Sequence, residues 1–213
     1  MLLALTDQLR CTGAHAETWL VARADVVEEH RMVAGVLGCP VCHAERVVRG
    51  GILWWERSDS SGQEASSAVI ADPDADAVMR AGALLGFAES VLPFVLCGAE
   101  AIVATGLTGL GEAPLVLLDP PDDRAAPCAT IIRGAPAIPM AAGTVRGIAL
   151  DTAHGRAEFI DSAVTALAQG GRLVAPATFA LPAGIRELAR DATHWVGERG
   201  ADLIALGRAV PAR

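Results

Sequence analysis

Short, mostly apolar runs recur through the chain from about residue 76 onward. They lie at 93–97, 115–118, 130–133, 144–150, 172–175 and 203–206. A brief apolar run of this kind is typical of a strand that is buried on both faces of a parallel sheet. Because helix-like segments separate the runs, the pattern predicts an α/β fold, with a Rossmann-like, mostly parallel sheet and helices on both of its faces.

The segments between these runs predict four helices. They span about 76–90, 99–110, 156–169 and 185–198. Asp74 or Asp76 is expected to cap the first helix, because a carboxylate can accept the free amide hydrogens of a first turn. Gly111 is expected to end the second helix and Gly170-Gly171 the third, since glycine readily adopts the left-handed conformation found after helices.

Composition limits the classes of protein to consider. The chain has 213 residues and a formal net charge of −8, and all 17 of its basic residues are arginine. Hydrophobic residues make up 52% of it, which is enough for a core, and the acidic balance argues against unspecific nucleic-acid binding. Residues 1–10 lack the basic start of a signal peptide, and charged residues interrupt the most apolar region. We therefore expect a soluble, cytoplasmic protein with no membrane partner.

The chain divides into three zones. Residues 1–57 hold closely spaced cysteines and histidines, short β-prone runs and three of the four tryptophans. Residues 58–75 begin with a stretch rich in Ser, Gly, Asp and Pro, which is typical of a linker. Residues 76–213 carry the alternating pattern of strands and helices. We expect a small β-rich N-terminal module, a linker and an α/β domain.

Two closely spaced ligand pairs in the N-terminal zone predict a metal site. The pairs are Cys11-x3-His15 and Cys39-x2-Cys42, and a segment long enough for a β-hairpin separates them. Zn²⁺ prefers four thiolate or imidazole ligands in a tetrahedron, and each short spacing lets one tight turn supply two of them. The layout predicts a zinc ribbon with a structural Zn²⁺ ion.

Alternatives exist for both pairs. His30 or His43 could replace His15 as the fourth ligand. Cys39 and Cys42 could instead be buried thiols or a redox pair. A redox Cys-x2-Cys is expected where a helix starts after a strand, whereas the surroundings here are glycine-rich and hairpin-like. We therefore favour zinc.

Residues 9–55 also resemble a known family of zinc modules. The segment 44–53, AERVVRGGIL, is similar to the EY-x-I-x-x-G-I tail of Trm112-like modules. Two departures are the Cys-x3-His spacing of the first pair and Arg46, which stands where an aromatic residue is common. Modules of this family recur beside or fused to methyltransferases, so the resemblance implies a binding or assembly role.

A second resemblance involves the segment 134–174. It contains GAPAIPMAAGTVRGIALD and, after a predicted helix, ALAQGGRLV. This segment resembles the back half of class I methyltransferases, in which LPF-x-D-G-x-F-D is followed by a helix and a KPGGRL hairpin. The resemblance covers about 76–208 and implies a Rossmann-like domain related to enzymes that use S-adenosylmethionine.

The resemblance also implies where a cofactor would bind. Gly98 stands in the turn after the first strand, where the family has a glycine-rich loop. Asp119 stands at the end of the second strand, where an acidic residue accepts hydrogen bonds from the ribose hydroxyls. A simpler interpretation of Asp119-Pro120 is a turn that ends the strand.

Three features depart from the family pattern at these positions. Gly98 is the only glycine where the family has D/E-x-G-x-G-x-G, and Glu100 adds a carboxylate near the place of the cofactor's own carboxylate. No acidic residue follows the third strand, in 134–140. Arg146 stands where the family has an aspartate in the fourth strand.

Asp151 and His154 follow the fourth predicted strand, at the sheet edge where ligands bind in open α/β folds. One interpretation makes them a general base. We favour a simpler one, in which Asp151 caps the next helix and His154 is solvated. His194 is expected on a helix surface, and Cys97 is expected to be a buried thiol.

Two functions of different classes follow. The first is a methyltransferase-like protein that has lost catalysis and acts as a binding or assembly partner, with another protein or as a homo-oligomer. The second is an active methyltransferase that binds S-adenosylmethionine through a modified loop, with Gly98 and Asp119 in contact with it. The combined departures favour the first.

Overall fold

The computed structural model describes residues 1–55, 73–123 and 129–200. Within these ranges the strands are β1 Val21–Glu28, β2 Arg31–Gly38, β3 Glu45–Arg49, β4 Ile52–Trp54, β5 Phe94–Cys97, β6 Leu115–Leu118, β7 Ala129–Arg133, β8 Val145–Ala149, β9 Leu167–Pro176, β10 Ile185–Arg190 and β11 His194–Arg199. They form one sheet in the order β1-β2-β3-β4-β7-β6-β5-β8-β9-β11-β10.

The centre of this sheet is parallel. Strands β4, β7, β6, β5, β8 and β9 pair in parallel, and the strands outside them pair antiparallel. Numbered from β5, the run β7-β6-β5-β8-β9 has the 3-2-1-4-5 order of doubly wound folds. The predicted α/β fold with a parallel centre is thus confirmed, while the complete sheet is mixed.

The helices are short. They are α1 Ala75–Leu85, α2 Ala104–Leu107 and α3 Ala157–Ala166, with 3₁₀ helices at Leu3–Gln8, Gly98–Val103 and Thr152–His154. Asp74 caps α1 by accepting the Ala77 amide at 2.6 Å. Gly86 ends α1 in the left-handed conformation, earlier than the predicted end near residue 90. None of the helices in the described ranges is long and apolar enough to cross a membrane.

Helices cover both faces of the parallel strands. In β5, Phe94 and Leu96 lie in an apolar cluster with side chains of α1 and α2. The alternate residues Val95 and Cys97 lie in a second cluster with Phe159 of α3. Because successive side chains of a strand point to opposite faces, a continuously apolar strand is buried from both sides.

The N-terminal strands extend the same sheet. Strand β4 pairs with β7 in parallel, with Leu53 opposite Ile132, and the Trp55 amide donates to the Arg133 carbonyl at 2.8 Å. Strands β1 to β4 therefore continue the sheet beyond β7. The predicted linker, 58–75, lies almost entirely outside the described residues, and the division into two domains stays a prediction.

The helix predicted at 185–198 is wrong, because β10 and β11 form an antiparallel hairpin there. The Asp191 carboxylate accepts the amides of Thr193 and His194 at 2.7 and 2.8 Å. An aspartate that bonds to the backbone just after it favours a turn over a continuing helix. Strand β11 then pairs with β9 and buries Trp195.

Two other predicted helices differ in extent. The segment 156–169 is helical only to Ala166, and β9 begins at Leu167, so Gly170 and Gly171 lie within a strand. The segment 99–110 divides into a 3₁₀ helix and the single turn of α2, consistent with the low helix propensity of its two glycines. The strand predicted at 203–206 lies outside the described residues.

Candidate functional site

Four metal-ligating side chains meet beside the N-terminal strands. Cys11 and His15 precede β1, and Cys39 and Cys42 lie in the turn between β2 and β3. One ligand atom from each residue lies within 4.8 Å of the corresponding atoms of the other three. The structure therefore brings together the two pairs that the sequence spacing singled out. We call this group the Cys/His cluster.

Two distances between ligand atoms have the values expected around one small tetrahedral ion. Cys11 Sγ lies 3.6 Å from Cys42 Sγ, and Cys39 Sγ lies 3.4 Å from His15 Nε2. Bonds of about 2.3 Å to sulfur and about 2.0 Å to nitrogen place tetrahedral neighbours of Zn²⁺ roughly 3.5 to 3.8 Å apart. Three cysteines and one histidine are also a ligand set of structural zinc sites. The donor set thus matches zinc.

The orientation of His15 suits metal binding. Its Nδ1 lies 2.8 Å from the Ala16 carbonyl oxygen, so in the neutral ring Nδ1 carries the proton and donates it there. This arrangement leaves the lone pair of Nε2 facing the sulfur atoms, as in sites where a second partner orients the histidine. The two alternatives, His30 and His43, lie outside the Cys/His cluster.

Backbone amides surround the sulfur atoms. The amide of Gly13 donates to Cys11 Sγ at 3.4 Å, and that of Cys42 donates to Cys39 Sγ at 3.5 Å. Burial raises the pKa of the Cys11 thiol to about 11. A hydrogen bond from the Ala44 amide lowers the pKa of the exposed Cys42 thiol. A bound cation would favour the thiolate form of every cysteine in the cluster.

The second candidate site lies at the carboxyl ends of β5, β6 and β8. Gly98 follows β5 with a φ of +54°, and the next amide, that of Ala99, donates to Asp151 Oδ2 at 2.9 Å. A Cβ atom on Gly98 would come within 2.6 Å of Asp151 Cγ. The Asp151 carboxylate therefore fills the space directly over the Gly98 turn.

Asp151 is held by several hydrogen bonds. Its Oδ1 accepts the amides of Ala153 and His154, each at 3.1 Å, and so caps the 3₁₀ helix that follows β8. Asp151 was predicted to cap the helix at 156–169, but it caps this separate short helix, and α3 follows Arg156 without a side-chain cap. Burial raises the pKa of this carboxyl, but hydrogen bonds from His154 and Ala99 outweigh that effect, and the net pKa is lowered.

His154 links Asp151 to Asp119. Its Nδ1 lies 2.5 Å from Asp151 Oδ1, and its Nε2 lies 3.7 Å from Asp119 Oδ2. The residue is only 6% exposed, and the ring of Phe159 packs edge-on against it at 4.7 Å between centroids. The expectation that His154 is solvated is therefore wrong. Burial lowers its pKa, but the two carboxylates outweigh burial and raise the pKa above 6.5.

Asp119 completes this arrangement, which we call the Asp119–His154–Asp151 network. Its Oδ1 accepts the Gly134 amide at 2.7 Å, and its Oδ2 faces His154. Burial raises the pKa of Asp119, but hydrogen bonds from His154 and the Gly134 amide outweigh burial, and the net pKa is lowered. Both carboxylate oxygens thus already have partners within the chain.

An acidic side chain and a small cavity flank the network. Glu100 Oε1 lies 3.5 Å from His194 Nε2, so His194, expected on a helix, instead faces the sheet edge from the start of β11. Burial raises the pKa of Glu100, and His194 offsets this only in part. The adjoining cavity, of about 170 Å³, is lined mainly by apolar side chains of α1, β5, β8 and β9. Its volume is close to that of a cavity that holds one benzene molecule.

Two of the residues discussed for cofactor binding lie at this edge. Gly98 and Asp119 follow β5 and β6 directly. Arg146 does not join them, because it lies near the amino end of β8 and donates from Nη1 to the Gly170 carbonyl at 3.0 Å. It supports the start of β9 rather than the cofactor edge.

Sequence reasoning missed the pairing of His154 with Asp119. The contact of His154 with Asp151 did have a local signal, since the Asp-x-x-His spacing lets Asp151 cap the short helix that carries His154. The contact of His154 with Asp119 depends on two strands, β6 and β8, which lie on either side of β5. No local pattern indicates that contact.

Comparisons with known proteins give a limited picture. No protein-family model matches the chain, and no curated protein matches it. Among solved structures, precorrin-6y C5,15-methyltransferase from Geobacter metallireducens GS-15 is similar, with 12% identity, a TM-score of 0.39, and coverage of 56% of this chain and 84% of that one. Another is yhhF from Escherichia coli, provisionally described as a methyltransferase, with 12% identity, a TM-score of 0.34, and coverage of 52% and 76%. Likenesses this weak assign neither a cofactor nor an activity to this chain.

Proposed function

We propose that this chain is a methyltransferase-like protein that has lost methyl transfer and acts as a binding or assembly partner. The observation that carries the proposal is the Asp151 carboxylate, which lies over the Gly98 turn and accepts the Ala99 amide. In the enzymes that the sequence resembles, glycines keep this turn open so that the backbone can approach the methionine part of the cofactor. Here a side chain of the protein occupies that approach.

The negative charge at this edge also disfavours one group of the cofactor, its carboxylate. The methionine part of S-adenosylmethionine carries a carboxylate, and Asp151 and Glu100 lie beside the turn that would receive it. Like charges at short distance in a partly buried site disfavour binding. His154, which would offset this negative charge when protonated, is already shared between Asp151 and Asp119.

The ribose position is engaged as well. An acidic residue after the second strand must accept hydrogen bonds from two hydroxyls, but the oxygens of Asp119 face the Gly134 amide and His154. The neighbouring cavity, at about 170 Å³, is also smaller than the roughly 300 Å³ at which sites for drug-sized ligands begin.

Calorimetric titration with S-adenosylmethionine tests the proposal. We expect no saturable heat for the wild-type chain up to about 1 mM cofactor. Micromolar binding that is lost in a folded Asp119→Ala variant would instead support the alternative, an active enzyme with a modified loop. The observation in favour of that alternative is that Gly98 and Asp119 both lie at the sheet edge. The two outcomes of the titration separate the two functions.

For the N-terminal strands, we propose that Cys11, His15, Cys39 and Cys42 hold a structural Zn²⁺ ion. Four protein ligands leave no open position, and such an ion contributes directly to folding. The ion would fix the loop before β1 to the turn between β2 and β3, and so would fix the position of the strands that extend the sheet. Metal analysis after purification without chelator should give about one zinc per chain.

A further inference from the structure

Among the described strands, β1 stands first in the order of the sheet. It pairs with β2 on one side, and no strand of the described ranges pairs with its other side. All eight of its residues are exposed. The opposite edge of the N-terminal strands is already used, since β4 pairs with β7 of the same chain. A partner that adds to these strands therefore has β1 available.

The exposed edge carries apolar side chains. Val21, Val26 and Val27 are 64%, 43% and 48% exposed. A long edge strand with free backbone groups is a template for pairing, and proteins commonly protect such edges with Lys, Pro or short strands. β1 contains no Lys or Pro. Register shifts between Ala24 and Val26 and between Val26 and Val27 bend the strand locally. They do not account for the two central charges, Arg23 and Asp25.

Those charges are complementary about the centre of the strand. Residues 21–27 read VARADVV, so a second copy running antiparallel and centred on Ala24 places Arg23 opposite Asp25 and Asp25 opposite Arg23. The same arrangement places Val21 opposite Val27. Opposite charges and aliphatic side chains are favourable cross-strand pairs.

Other registers lack this match. Centring the pair on Arg23 or on Asp25 places like charges directly opposite each other, which is destabilising. Within one chain, Arg23 Nε lies 3.4 Å from Asp25 Oδ1, so the two charges already share one face of the strand. Two copies would join these into an alternating group of four charges.

We propose that β1 pairs antiparallel with β1 of a second copy of this chain, centred on Ala24, so that the sheet continues across a two-fold axis. This inference rests on the assembly role proposed above and names the partner in it. One strand pair is a small interface, so we expect a reversible dimer that forms at micromolar or higher concentrations.

Sedimentation velocity on the full chain, at about 1 to 200 µM, tests the pairing. Arg23→Asp creates two Asp–Asp contacts across the axis, and Asp25→Arg creates two Arg–Arg contacts. Each variant should weaken the dimer by at least about tenfold. An equimolar mixture of the two variants should form a heterodimer, because the unlike copies restore both opposite-charge pairs.

The mixture separates pairing from damage to β1, because a misfolded strand would not be rescued by another variant. Arg49→Asp reverses an exposed charge on β3 and is the matched control, with no expected effect on the dimer. A wild-type chain that stays monomeric at 200 µM, or a dimer unchanged by both single reversals, would overturn the inference. Cofactor titration is a separate measurement. If the chain forms the dimer and also binds S-adenosylmethionine, the proposed loss of methyl transfer is contradicted while the pairing of β1 stands.

Discussion

Asp151 lies so close to Gly98 that a methyl group on the glycine would come within 2.6 Å of Asp151 Cγ. The glycine also has a φ of +54°, which residues with a side chain rarely adopt. The turn and the carboxylate over it therefore depend on each other. Gly98, which was predicted from the sequence to lie in a cofactor loop, admits a side chain of the same protein at this turn.

Replacing this glycine gives the first prediction. Gly98→Ala should lower the free energy of unfolding by about 3 kcal/mol or more, since it combines left-handed strain with a clash against a hydrogen-bonded carboxylate. Gly50→Ala is the matched control: its φ is +57°, and nothing lies within 4 Å of the added Cβ. That variant should cost only about 1 kcal/mol. Urea unfolding measures both, and equal losses would contradict the packing argument.

A second prediction concerns the coupling of the two residues. Asp151→Ala should itself destabilise the chain by about 2 to 3 kcal/mol, because the Ala99 amide and His154 lose their partner. In the Gly98→Ala/Asp151→Ala double variant the overlap is gone. The loss of unfolding free energy in the double variant should then be smaller than the sum of the two single-variant losses by at least about 1 kcal/mol. Additive losses would mean that Gly98 and Asp151 act independently.

The pH dependence of stability gives a third prediction. His154 has a pKa raised above 6.5, so its ion pairs contribute fully below that value, and this contribution is lost as the pH rises through the folded-state pKa. The pKa values of Asp119 and Asp151 are lowered below 3.8, so the contribution of these carboxylates to stability is lost only when the pH falls through the lowered values. Wild type should therefore exceed His154→Gln in stability most at about pH 5 to 6, and least in mild alkali.

Denaturant unfolding from about pH 4 to pH 9 measures this difference. His30→Gln is the matched control, because His30 is exposed in the turn between β1 and β2. The Met1 amino group, whose pKa burial lowers to about 6, titrates in every variant and cancels in the comparison. A wild-type advantage that is the same at all pH values would show that folding does not shift the pKa of His154, and would contradict its ion pairs with the two carboxylates.

The sequence was informative where a segment's role depends on its own residues. The apolar runs at β5 and β6 correspond to buried parallel strands, because such strands meet helices on both faces whatever their neighbours are. The spacing of Cys11 with His15 and of Cys39 with Cys42 identified residues that do converge, since tight turns fix each pair locally.

The failures come from longer-range effects. Residues 185–198 have the composition of a helix, but pairing of β11 with β9 and the turn at Asp191 make a hairpin more stable. His154 looked solvated because nothing in its neighbourhood indicates Asp119, which follows a strand two places away in the sheet. Contacts between side chains that follow different strands are set by strand order, which local patterns do not encode.

Removal of one cysteine from the Cys/His cluster gives the last prediction. Cys39 is buried and lies within hydrogen-bonding distance of His15, so Cys39→Ser should lower the bound zinc to less than half an equivalent and lower the melting temperature. Chelator should destabilise the wild-type chain in the same way but have little further effect on the variant.

Cys97→Ala is the matched control, because Cys97 is equally buried but lies in β5, outside the cluster. It should lose stability through packing while keeping its zinc. Full zinc content in Cys39→Ser would contradict the assignment, since three remaining ligands do not make a closed structural site.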